Sequence, residues 1–334
     1  MARTLTIDGQ EDTVLAEASA VLARGLPVAI PTETVYGLAA DATNAEAVRR
    51  IYAVKGRPSI NPLICHMSDL AMAEGYATFD PLSRRLAEAF WPGPLTLVLP
   101  LKPDSPIARE TTAGLTTVGI RVPQGFAGAL IAAYGKPLAA PSANPSGRIS
   151  PTAASHVEAG LGERLELILD GGPATVGVES TIVKVEADGT LRLLRPGGLS
   201  ADEIERVAGV TLTRGKAGAA AIEAPGMLPS HYAPRAAVRM NATEVRPGEA
   251  FLKFGADAVP GEDRAAAIFA LSASGNAAEA ASHLFELMKR ADEAGVTSIA
   301  VSPIPSTGLG EAINDRLVRA AAPRPGPVTD EGTS

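Results

Sequence analysis

At 334 residues, 46% apolar and 20% charged, the chain has the composition of a globular protein long enough for two domains. No apolar run approaches the roughly 18 to 20 residues of a membrane helix, and Met1-Ala2-Arg3-Thr4-Leu5-Thr6-Ile7-Asp8 lacks the apolar core of a signal peptide, so a cytoplasmic location is expected. One cysteine, Cys65, excludes an intrachain disulfide and a cysteine-rich zinc site, and the net charge of −7 (−5 over residues 1–212, +2 over 213–235, −4 over 236–334) leaves no segment basic enough to grip nucleic acid by charge alone.

In chain order, Val14, Leu15, Ala18, Val21 and Leu22 fall at helical spacing and Gly25 ends that helix. Val28-Ala29-Ile30 reads as a buried strand that stops at Pro31, leaving Thr32, Glu33 and Thr34 on the loop beyond it, where open sheets place ligand groups. A capping box, Thr43-Asn44-Ala45-Glu46, opens a helix carrying Val48, Ile51 and Tyr52, and Gly56 and Pro58 close it beside Lys55 and Arg57. Leu63 to Met67 reads as a strand. Asp80-Pro81 starts a helix ended by Trp91-Pro92-Gly93-Pro94, and Leu95 to Leu99 and Val118 to Val122 read as strands flanking a Thr-rich loop.

Leu138-Ala139-Ala140 runs into the hydroxyl-rich turn Pro141 to Gly147. Leu165 to Leu169 is a further strand, and residues 179–185 and 191–194 form a pair joined by Ala187-Asp188-Gly189-Thr190. Ser200 to Glu203 caps a helix. The strands and helices do not alternate strictly, which favours a mixed sheet. Residues 213–235 read as a linker, although Met227, His231 and Tyr232 are more than a spacer needs. Beyond it, strands at 251–254, 266–271 and 297–301 and a helix over 277–294 predict a three-layer α/β domain over 236–322. Residues 323–334 read as a disordered tail.

Common catalytic signatures are absent: no G-x-G-x-x-G, no complete Walker loop, no G-x-S-x-G and no H-E-x-x-H. What remains is a set of strand-end loops carrying Thr32, Thr34, Lys55, Arg57, Thr117, Arg121, Ser142, Asn144, Ser146, Ser180 and Arg195. On one rim these would combine cations with small donors, as a triphosphate and a small polar substrate require. Each residue alone also fits a plainer role. Lys55 and Arg57 suit a helix C-terminus, His66 a satisfied buried histidine, Arg121 the solvent side of a strand, and Tyr232 a packing anchor between domains.

The motifs P-T-E-T-V-Y-G-L, K-G-R-P, N-P-L-I-x-H, W-P-G-P-L-T, T-A-G-L-x-T-V-x-I-R-x-P, P-S-A-N, S-P-T, G-V-E-S-T-I and L-R-P-G occur in this order between Pro31 and Gly197, and A-P-G-M-x-x-x-H-Y-A-P follows at 224–234. This set resembles the YrdC-type threonylcarbamoyl-AMP synthases in their longer, two-domain form. The resemblance implies a twisted α/β YrdC-like sheet with a concave active-site face over residues 1–212, a linker or lid over 213–235, and a smaller Rossmann-like domain. It also implies synthesis of threonylcarbamoyl-AMP from L-threonine, bicarbonate or CO2, and ATP. That product would feed tRNA modification by separate transferase proteins, without tight tRNA binding here.

By the same resemblance Lys55 and Arg57 are catalytic cations on ATP, and Ser142, Asn144, Arg195 and Tyr232 also bind the nucleotide. Thr32, His66, Thr117, Arg121 and Ser180 serve threonine, and His231 and Tyr232 form the lid. Magnesium is expected on the ATP phosphates, with no protein ligand set. Two competing readings are a carbamoyl-adenylate enzyme of hydrogenase maturation, whose acylphosphatase and cysteine-rich zinc segments this chain lacks, and a YrdC-fold module that binds double-stranded RNA.

Overall fold

The structure, a computed structural model, describes residues 1–214, 223–226 and 231–323. Met227, the alanine run at 217–221 and the tail from 324 onward lie outside these residues. Among the described residues no helix is long and apolar enough to cross a membrane.

An eleven-stranded mixed sheet forms the first domain, ordered Arg3–Thr6, Leu167–Asp170, Val28–Ile30, Gly37–Asp41, Leu138–Ala139, Ile64–His66, Thr117–Arg121, Leu95–Pro100, Thr181–Val185, Leu191–Arg195 and Leu212–Arg214. Parallel and antiparallel pairs mix as expected, for example Ile64–His66 parallel to Thr117–Arg121 but Leu95–Pro100 antiparallel to it. The central strands are buried along nearly their whole length, because apolar clusters cover both faces: Leu38, Ala40 and Ile168 enter one cluster, and Ile30, Ala39 and Leu167 another. The last strand, Leu212–Arg214, runs into the stretch read as a linker.

The strands flanking the loop at 31–36 pair antiparallel, Ile30 opposite Gly37, so Thr32 to Tyr36 form a tight connection at the sheet's end. An isolated bridge between Gly37 and Ser142 brings the Pro141–Gly147 turn beside it. The helix Ala45–Lys55 ends at Gly56, which is left-handed at φ 61°. Its start differs from expectation. Asn44 is the N-cap and accepts from the amides of Glu46 and Ala47, while the Thr43 hydroxyl donates to Asp41 at 2.6 Å. The capping box expected at Thr43 therefore does not form; one forms further on, between Ser200 and Glu203.

The second domain is a four-stranded parallel sheet ordered Ala237–Arg239, Ser298–Val301, Ala250–Phe254 and Ala267–Ser272. The helices Ala277–Glu293 and Leu309–Ala321 pack against each other on one face, sharing a core with Leu252 and Val301. Phe251 and Ala300 point to the other face, which Ala242, Val245 and Val259 cover. Two layers with a loop cover thus replace the expected three, because both helices lie on the same side. That core also takes in Val35, Ile149, Val178 and Tyr232, so it is continuous with the first domain and the linker.

Candidate active site

The loop after Val28–Ile30 is fixed by Thr32. Its Oγ1 donates to Val35 O at 2.6 Å, accepts from the amides of Thr34 and Val35, and lies 2.9 Å from Thr34 Oγ1. Thr34 Oγ1 in turn accepts from Arg121 Nη1 at 2.8 Å, and Arg121 Nε donates to Gly93 O. Arg121 is only 4% exposed, so it is not a solvent-side charge. Its Nη2 stands 2.7 Å from Glu33 Oε2, an ion pair without the alignment of a hydrogen bond. Beside it His66 is buried and its imidazole is pushed down to about 3, first by burial and then by Arg121. Its Nδ1 has no hydrogen bond.

The two cations at the end of Ala45–Lys55 turn in different directions. Arg57 Nε and Nη2 donate to the carbonyls of Asn61 and Pro62, and burial pulls its guanidinium down to about 10. Lys55 Nζ donates to Ser142 O and Asn144 O, each at 2.5 Å, so it clamps the Pro141–Gly147 turn from behind. Burial, with Arg57 nearby, holds its ammonium well below the usual lysine range.

On the opposite wall Ser180 Oγ lies 2.8 Å from Thr96 Oγ1, and Arg195 donates to Ser180 O through Nε and Nη2 and to Ser180 Oγ. Glu179 Oε1 accepts from Ser150 Oγ at 2.5 Å and Oε2 accepts from Arg316 Nε at 2.7 Å. Burial pushes this carboxyl up, but Arg316, Arg195 and the two hydrogen bonds outweigh it and hold the group at about 2.

Four described linker residues, Pro225, Gly226, His231 and Tyr232, lie in the cavity wall. Arg195 Nη1 donates to Pro225 O, and the amide of Ala233 to Gly147 O. Tyr232, at φ 60°, is 1% exposed; its ring stacks on Phe285 at 5.6 Å and lies 5.1 Å from the Arg316 guanidinium. His231 packs edge-on against Tyr232, and burial pushes its imidazole down to about 3.

The resulting pocket opens to solvent, and the non-atom space it spans, solvent included, is about 560 Å³. Its walls hold Thr32, Arg57, His66, Arg121, Ser142, Ser180, Arg195, His231 and Tyr232 from the sequence-derived set. Lys55, Asn144 and Thr117 are not in the walls. Thr117 lines a neighbouring cleft with Thr96 and Pro225, and Asn144 donates from Nδ2 to Pro145 O and Arg148 O. Thr34, named with Thr32 among the strand-end loop candidates, lines the cavity too, whereas Ser150 and Glu179, inside the S-P-T and G-V-E-S-T-I motifs, were not among the candidates. Arg316 carried no local signal, since its partner Glu179 is 137 residues away.

Fold and cavity together define a YrdC-like α/β protein whose cation-lined pocket is backed, at Glu179, by a second domain. Residues 20–197 match the Sua5/YciO/YrdC family, described as "Telomere recombination", and residues 199–322 match the family described as "Threonylcarbamoyl-AMP synthase, C-terminal domain". The chain belongs to the Sua5/YciO/YrdC family, in its two-domain form. It is 40% identical to the threonylcarbamoyl-AMP synthase of Bacillus subtilis over 94% of each chain. The Pyrococcus abyssi Sua5 structure complexed with L-threonine superposes with a TM-score of 0.85 at 36% identity, over 96% of this chain and 97% of that one. Escherichia coli YciO, at a TM-score of 0.53 and 24% identity, shares the fold over 59% of this chain and 96% of its own.

Proposed function

We propose that this chain makes threonylcarbamoyl-AMP from L-threonine, bicarbonate or CO2, and ATP with release of pyrophosphate, as a nucleotidyltransferase. The observation that carries the reading is one cavity whose walls bring Arg57, Arg121 and Arg195 together with the hydroxyls of Thr32, Thr34, Ser142 and Ser180 and the imidazole of His66. The threonine amine adds to CO2 to give a carbamate, a carbamate oxygen bonds to the α-phosphorus of ATP, and the bond to the pyrophosphate oxygen breaks. Charge builds on phosphate oxygens, so fixed cations supply most of the rate by position and electrostatics.

In this proposal Arg57, Arg195, Ser142 and Tyr232 meet the nucleotide, and Lys55 and Asn144 shape the turn that holds it. Arg121 takes the threonine carboxylate beside Thr32, His66 and Ser180; Thr117 acts through the strand it shares with Arg121. His231 and Tyr232 close the linker over a labile adenylate and exclude water. Glu179, the carboxylate in the cavity wall, is engaged by Ser150 and Arg316, so magnesium belongs to the ATP phosphates. Product passes to separate proteins that modify tRNA. The proposal puts the reaction in the cytoplasm, a reducing setting that suits one buried free thiol, Cys65.

Incubation with threonine, bicarbonate and Mg-ATP is expected to release pyrophosphate in a threonine-dependent way. Pyrophosphate that appears equally without threonine, or not at all, rejects the proposal. A double-stranded RNA module fits the same fold, but Arg57, Arg121 and Arg195 line the cavity and the net charge is −7.

A further inference from the structure

Glu179 is the one carboxylate among the described residues lining a cavity whose other charged walls are Arg57, Arg121 and Arg195. Left to itself, such a group would pair with the nearest arginine and repel any phosphate entering beside it. The second domain prevents this. Arg316, on the helix Leu309–Ala321, is 0% exposed, and its Nε donates to Glu179 Oε2 at 2.7 Å. Arg316 is held in turn by Nη1 bonds to Pro196 O at 2.9 Å and Asp315 Oδ2 at 2.7 Å.

The loop carrying Glu179 is pressed on the same domain. A Cβ on Gly177 would stand 2.4 Å from Ser282 Cα, and Val178 enters the second domain's core.

We propose that Arg316 is a positioning residue for nucleotide binding: it holds the Glu179 charge aside so that the positive field of Arg57 and Arg195 in the cavity is left for phosphate. The second domain thereby completes a site whose phosphate-facing groups all belong to the first domain. The inference depends on the proposed reaction only for the identity of the nucleotide, and it separates two ways in which losing Arg316 weakens binding. If the domain merely props the wall, Glu179 is incidental; if Arg316 neutralises a competing charge, removing that charge restores what removing Arg316 took away.

Equilibrium dialysis of the full chain with Mg-ATP reads this directly, alongside threonine-dependent pyrophosphate release. Arg316→Met is expected to raise the ATP Kd at least tenfold, and Arg316→Met combined with Glu179→Gln to recover at least fivefold of that loss. A Kd within twofold of the unmodified chain for Arg316→Met, or a double variant as weak as the single, overturns the inference. Arg316→Lys keeps the charge and serves where Arg316→Met does not fold: a Kd closer to the unmodified chain than to a tenfold loss supports the inference, and a tenfold loss overturns it. An unmodified chain that binds ATP but releases no threonine-dependent pyrophosphate sinks the proposed reaction and leaves the Arg316 arms readable; one that binds no ATP sinks both.

Discussion

Lys55 and Arg57 stand two residues apart, yet the left-handed Gly56 between them sends one side chain behind the Pro141–Gly147 turn and the other into the cavity wall. Their loss should therefore read differently. Arg57→Ala is expected to raise the KM for ATP at least tenfold; it leaves Pro62 O without its donor while Asn61 O keeps the Tyr52 hydroxyl, so its melting temperature should fall less than that of Lys55→Ala. Lys55→Ala leaves two carbonyls without their donor, at about 1–3 kcal/mol each, so both melting temperature and turnover should fall, turnover at least tenfold. Pyrophosphate-release kinetics with a melting curve for each variant decide this; a smaller loss in both rejects the cation assignments. The residue types were legible in the sequence, but their directions were not. Spacing at a helix end cannot say which cation turns inward, and Arg121 alternating with Ile120 and Val122 fitted a solvent-side charge until Thr34, Glu33 and Gly93 were found against it.

Elements with strong local chemistry were readable: the helix ended by Gly56, the pair 181–185 and 191–195, and the capping box at Ser200. The strand Gly37–Asp41 was not, because G-L-A-A-D carries no β-branched or aromatic residue and owes its strand state to neighbours on both sides. The cap at Asn44 was misplaced by one residue because Asp41, outside the helix, captures the Thr43 hydroxyl. Gly177 was visible within the motif, but not its reason. It sits at φ 75° with the backbone of Ala281 and Ser282 where a side chain would go. Gly177→Ala thus meets both a left-handed backbone, costing about 1–2 kcal/mol, and a rigid clash. A urea titration should show at least that loss, with reduced pyrophosphate release because the same loop carries Ser180 and Glu179. An unchanged midpoint would mean that the loop is not pressed on the second domain.

At the scale of the molecule, the join between domains was the least legible feature, since its contacts link residues far apart in the chain, Tyr232 with Phe285, Arg214 with Glu311 and Glu179 with Arg316, and no short pattern carries them. It also makes the fold sensitive to acid. His66, facing Arg121, and His231, facing Glu179, Arg57, Lys55 and Arg316, are held neutral down to about pH 3, chiefly by burial. His156, beside Lys289 and paired with Glu286, is lowered as well, burial again the largest cause. In the unfolded chain each takes a proton near pH 6.5. Below that pH the unfolded state binds more protons than the folded one, so the stability these groups confer is complete above 6.5 and is lost as pH falls toward 3. Glu179, held at about 2, acts in the same direction lower down: its contribution is present above about 4.5 and is lost between there and 2. Each differing proton tilts stability by about 1.4 kcal/mol per pH unit. Urea midpoints measured from pH 8 to 4.5 should fall more steeply below 6.5 than above it, and His231→Asn should remove close to one proton from the slope below 6.5. A level profile across the whole range, or an unaltered slope in His231→Asn, would mean that the linker histidine is not buried against the cavity cations.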